Sequence, residues 1–196
     1  MTKSGVNEKI KLLKQAAEAR DKRDYAEACR VYNEILNTFG PDPDVMWGLA
    51  QAEFALSLVA PDAEDTHGHN AIYWIKQALA LRSDRPEYYF TLGDMLEHVG
   101  APNYEDAAHA YRRAIELEPF YAPALSRLAM LYGVPEDVVP LEEAIACCER
   151  ALRIAPTRSR WSVLARLYSY AGREDDSRRA YINSLLETCE VGTILY

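Results

Sequence analysis

The sequence predicts an all-α chain built as an array of helical hairpins, and three observations carry that expectation. Apolar and small residues recur at helical spacing along almost the whole length. One arrangement of small, aromatic and proline residues returns five times in the same phase. The composition, 49% hydrophobic and 27% charged over 196 residues, is that of a folded globular chain. A plain helical bundle would also show alanine seams, but it would not bring these residue types back at one phase.

The first hairpin has Leu12 and Ala16 in its opening helix, then Asp24-Tyr25-Ala26-Glu27-Ala28 leading to Ile35-Leu36. The second closes through Ala71-Ile72-Tyr73-Trp74-Ile75 and Ala78-Leu79. In the third, Leu92-Gly93 precedes Ala107, Tyr111 and Ala114, and Pro119 follows. The fourth sets Leu128-Ala129 and Tyr132 before Ala144, Cys148, Ala151 and Pro156. The fifth has Trp161, Leu164-Ala165, Tyr168, Gly172, Ser177 and Tyr181. The small residues of the second helices, Ala28, Ala71, Ala107, Ala144 and Ser177, are spaced by 43, 36, 37 and 33. Small side chains let two helices approach closely, and the larger residue four positions on fills the adjoining hole. Pro119 and Pro156 end their helices, since proline cannot continue one.

This pattern resembles the tetratricopeptide repeat, a helix-turn-helix unit of about 34 residues with W-x2-L-G-x2-Y, A-x3-F and P positions. The resemblance implies a right-handed solenoid of about five repeats, at 8–41, 42–85, 86–121, 122–157 and 158–190. One array is expected, with 191–196 as an apolar tail.

The function classes narrow quickly. A net charge of −8 and a pI near 5.1 argue against nucleic acid, because phosphate binding needs cationic faces. The start carries charges without an apolar h-region, so a secretory signal is not expected. Val45 to Ala60 is the longest apolar stretch, and with Gln51 and Glu53 in it membrane insertion is not expected. Cys29, Cys147, Cys148 and Cys189 show no metal-ligand spacing and suit helix packing in a reduced cytoplasmic protein. No P-loop, H-E-x-x-H, G-x-S-x-G or G-x-G-x-x-G occurs. No enzymatic role and no cofactor is therefore expected. His67 and His69, beside Asp62, Glu64 and Asp65 in a long loop, are the only histidine pair that could suit a metal. Solvated loop sequence is the plainer reading of them.

Two features stand out against the repeat. Extra residues fall in the turn inside three consecutive hairpins, at Pro61–Asp65, Ala101–Asp106 and Pro135–Asp137. Stacked, such turns would form an acidic ridge, although loops also tolerate insertions at little cost. Charge is sorted as well. Val31 to Ile75 holds seven acids and no Lys or Arg, while Arg150 to Arg173 holds six arginines and no acid.

The resemblance implies that the first helix of each repeat lines a concave face. The positions two before and two after the central Leu are Leu13 and Ala17, Trp47 and Gln51, Phe90 and Asp94, Ser126 and Met130, Ser162 and Arg166. One turn on come Phe54, Glu97 and Tyr170. Trp47, Gln51, Phe54, Phe90, Asp94, Glu97, Met130, Arg166 and Tyr170 are the expected partner-binding residues. For Trp47, Phe54 and Phe90, burial between repeats weighs as much as ligand contact. The Lys/Asn/Arg clamp that holds a C-terminal carboxylate in some members of this family is absent. The expected function is a non-catalytic scaffold or adaptor for a protein or peptide. A holding chaperone for an apolar client segment is the alternative, and a metal or enzymatic role comes a distant third. Ile194, Leu195 and Tyr196 are expected to fold back or to mediate self-association.

Overall fold

The computed structural model describes residues 3–60, 65–134 and 138–186. Among these residues lie ten α-helices and no strand. They are α1 (Lys3–Asp21), α2 (Tyr25–Phe39), α3 (Pro43–Val59), α4 (Thr66–Leu81), α5 (Pro86–His98), α6 (Tyr104–Leu117), α7 (Ala122–Met130), α8 (Leu141–Ile154), α9 (Arg158–Tyr170) and α10 (Glu174–Leu186). The chain divides into two compact units, Met1–Asn103 and Tyr104–Tyr196. The division falls between α5 and α6, inside the stretch expected as the third hairpin.

In the first unit the helix starts are written in the sequence. Asp24 accepts a hydrogen bond from the Glu27 N–H and so caps α2. Asp42 accepts from both Asp44 and Val45 at the start of α3, and Pro43 occupies the first turn, where its missing N–H is harmless. Gly40 ends α2 with a φ of 85°, a conformation that side chains other than hydrogen resist. Lys9 reaches from α1 to Asp42 at 2.7 Å, fastening the first helix to the entrance of the third.

The recurring small residues form the seams. Ala28, Ala71, Ala107 and Ala144 are completely buried. The residues four positions later, Tyr32, Ile75, Tyr111 and Cys148, are buried as well. Gly48 shows how tight one seam is: a Cβ there would lie 2.7 Å from Cζ of Tyr32. Around it Ala16, Val31, Ile35 and Leu49 make one apolar cluster, and Ala71, Ile75, Tyr88 and Met95 make the next.

The second unit, α6 to α10, follows the same logic. Arg112 on α6 donates to both carboxylate oxygens of Glu143 on α8, at 2.8 and 2.7 Å, and to the Val138 carbonyl. At the last seam Ser177 replaces alanine, and its hydroxyl donates to the Ala165 carbonyl at 2.8 Å. The hole-filling residue of that hairpin, Tyr181, is 58% exposed.

Candidate functional site

The expected inner positions of the first unit sort into two groups. Trp47 belongs to the packing between α3 and α5. Its indole N–H donates to Thr91 Oγ1 at 2.9 Å, and its ring lies 5.5 Å from that of Tyr88. Tyr88 in turn donates its hydroxyl proton to Asp44 at 2.6 Å, and Asp44 also receives Arg82 at 2.8 Å. Burial disfavours a charged Asp44, but the bonds from Tyr88 and Arg82 outweigh it and hold its pKa below the ordinary value.

Gln51, Phe54, Phe90 and Asp94 form the other group. Together with Arg20 and Tyr25 they line a recess of about 270 Å³. Gln51 supplies its most telling atom, because Oε1 is buried and has no hydrogen-bond partner. Such an acceptor normally finds a donor, and leaving it without one costs about 1–3 kcal/mol. The Phe54 ring sits 6.1 Å from that of His98, which also approaches Asp94. Glu97 is half-buried one turn beyond Asp94.

Arg20 is the residue that the sequence reasoning passed over, although the signal was present. Stepping one turn from Gln51 gives Phe54, and the same step from Ala17 gives Arg20. Its guanidinium also reaches the Tyr32 hydroxyl at 3.4 Å. Leu13 and Ala17 are exposed on α1 and do not line the recess.

The structure corrects the placement of the histidine pair. His67 and His69 lie in the first turn of α4 and not in a loop. Asp65, at a φ of 47°, caps that turn by accepting from the Gly68 N–H. The two imidazoles part company: His67 Nδ1 lies 2.6 Å from Glu53 Oε2, whereas His69 Nδ1 lies 2.9 Å from the Asp65 carbonyl oxygen. Glu53 is only 7% exposed and occupies the helix position at which the three later hairpins carry Leu96, Tyr132 and Tyr168. Among the described residues no cluster of three His, Cys, Asp or Glu could hold a metal ion. Burial pushes the thiols of Cys29, Cys147 and Cys148 up to about 12, 11 and 12, so they stay protonated and unreactive near neutral pH.

Of the three acidic turns, Pro61–Glu64 and Pro135–Asp137 lie outside the described residues. The acids that are described have duties at helix starts. Asp65 caps α4, while Glu105 and Asp106 sit in the first turn of α6, where the helix dipole favours negative charge.

The inner positions of the second unit lie on α7 and α9. Met130 is 45% and Tyr170 61% exposed, and the Tyr170 ring stands 5.5 Å from that of Tyr132. Arg166 is exposed. Ser126 and Met130 face Ser159, Arg160 and Val163 across a second recess, of about 250 Å³.

No protein-family model matches the chain, and no curated protein matches it in sequence. Solved structures do match. A crystal structure of MamA is 20% identical, with 91% of this chain and 97% of that chain covered and a TM-score of 0.73. A double mutant of MamA from RS-1 is 15% identical, with 95% and 97% covered and a TM-score of 0.76. TTC0263, a thermophilic TPR protein of Thermus thermophilus, is 21% identical, with 91% of each chain covered and a TM-score of 0.61. The helices, their small-residue seams and these likenesses agree, and the chain has the tetratricopeptide-repeat fold.

Proposed function

We propose that the chain is a non-catalytic interaction scaffold that holds an extended segment of a partner protein against α3 and α5. One observation carries the reading: Gln51, Phe54, Phe90 and Asp94 together line a recess of about 270 Å³. An apolar side chain of a bound segment would be taken out of water by the two rings, beside the Asp94 carboxylate. Aromatic anchors in such pockets carry about 2 kcal/mol or more each. Trp47 serves the helix packing, so the aromatic surface left for a client is smaller than a holding chaperone would use, which favours the scaffold. The unreactive thiols support a role without catalysis, and a reducing cytoplasm suits them.

Asp94→Arg is the direct probe, since it reverses a charge on the recess without touching the core. Partner affinity should fall at least tenfold in that variant and stay unchanged when Asp62, Glu64 and Asp65 are neutralised. The reverse pattern would move the site to the acidic turns. Self-association is also inferred: Ile194, Leu195 and Tyr196 lie outside the described residues, but α10 exposes Tyr181, Ile182 and Leu186. Light scattering of the full chain should give a larger mass than a chain ending at Glu190, and equal masses would remove the idea.

A further inference from the structure

The two helices that face each other in the second unit, α7 and α9, contain no Asp or Glu at all. They carry Arg127, Arg158, Arg160 and Arg166. The opposite holds for α3 and α5 of the first unit, which carry Asp44, Glu53, Glu87, Asp94 and Glu97 and no Lys or Arg. From these observations we infer a second binding site, in the α7–α9 groove of the second unit, that takes a short acidic segment carrying an apolar side chain.

The geometry divides the work between two arginines. Arg160 is fixed: its Nε–H donates to Ser126 Oγ at 2.8 Å, and an Nη1–H donates to the Ala155 carbonyl. Cys148 donates its thiol proton to the Arg160 carbonyl at 3.3 Å. These bonds tie α7, the end of α8 and the start of α9 around a recess of about 250 Å³, walled by Met130 and Val163. An apolar side chain fits there. Along α9, Ser159, Val163, Arg166 and Tyr170 follow one another at spacings of 4, 3 and 4 and so share one face. Arg166 therefore stands next to the recess, exposed, with no ion-pair or hydrogen-bond partner among the described residues. Its planar fork suits a carboxylate bidentately. A ligand carboxylate at Arg166 meets no competing acid on either helix.

Arg158 provides the internal control. It is also exposed and also lacks a partner among the described residues, but its direction on α9 differs from that of Arg166 by about 80°, on the far side from the recess. This inference rests on the interaction-scaffold reading, yet its probes carry the charge opposite to that expected in the first unit, so each site can fail alone.

The test is fluorescence anisotropy of the full chain with three labelled peptides: leucine flanked by aspartates, leucine flanked by asparagines, and serine flanked by aspartates. The first should bind at least tenfold more tightly than the other two, and its affinity should fall as salt rises. Arg166→Glu should weaken it at least tenfold, Met130→Asp should weaken it too, and Arg158→Glu should leave it unchanged. Equal binding of the asparagine peptide would overturn the inference, as would an undiminished Arg166→Glu. A loss in Arg158→Glu as large as that in Arg166→Glu would reduce the effect to general attraction and overturn it as well.

Discussion

Gly48 shows how one residue sets the spacing of two helices. An alanine there gains helix propensity of about 1 kcal/mol over glycine. Its Cβ, however, would press to 2.7 Å from the Tyr32 ring, which is itself buried among Ala28, Val31 and Ile35. Overpacking of this kind costs about 1–3 kcal/mol. Gly48→Ala is therefore expected to lower the urea midpoint despite its better propensity, and a raised midpoint would show that the Tyr32 ring moves aside freely. Glu53 makes a related point about legibility. In the sequence it reads as one more acid in a basic-free stretch, and nothing local announces a buried carboxylate facing His67. That pairing joins residues on different helices across a long connection, so it becomes visible only once α4 is in place.

Between helices, α3 and α5 are held together by a chain of polar contacts running from Arg82 through Asp44 to Tyr88. The pKa of Asp44 is lowered in the fold, so the unfolded chain binds its proton more readily than the folded one. The contribution is present above the ordinary carboxylate value of about 4 and is lost as pH falls through the lowered value. In thermal unfolding followed by circular dichroism, Asp44→Asn should lower Tm at about pH 6, and the gap from the wild type should shrink as pH falls below the ordinary carboxylate value. A gap that is constant with pH would assign the effect to packing instead. Helices α2, α3 and α5 were legible because they carry their own punctuation: Asp24 and Asp42 as caps, Pro43 and Pro86 in first turns, Gly40 at an end. The start of α4 was not, since Thr66-His67-Gly68-His69 has the composition of a loop. Asp65 in a left-handed conformation makes it a helix start, and Gly68 lacks the Cβ that would lie 2.5 Å from that cap.

Across the chain, repeat physics made the array readable, because each hairpin buries one face against its neighbours and so must keep its small and large residues in phase. The binding surface was readable only in part. Repeat phase predicts that Gln51 and Phe90 face inward, but not that Trp47, at an equivalent position, spends its N–H on Thr91. Charge sorting was visible in the sequence, and the helices give it a location: acids on α3 and α5, arginines on α7 and α9. The function proposed for the chain stands or falls on a partner segment lying over Gln51, Phe54, Phe90 and Asp94. Hydrogen–deuterium exchange of the full chain, with and without a binder selected from random peptides that contain no Asp or Glu, decides it. Added protection is expected in α3 and α5, with loss of both binding and protection in Asp94→Arg. Binders that leave α3 and α5 unprotected and bind Asp94→Arg at full strength would contradict it.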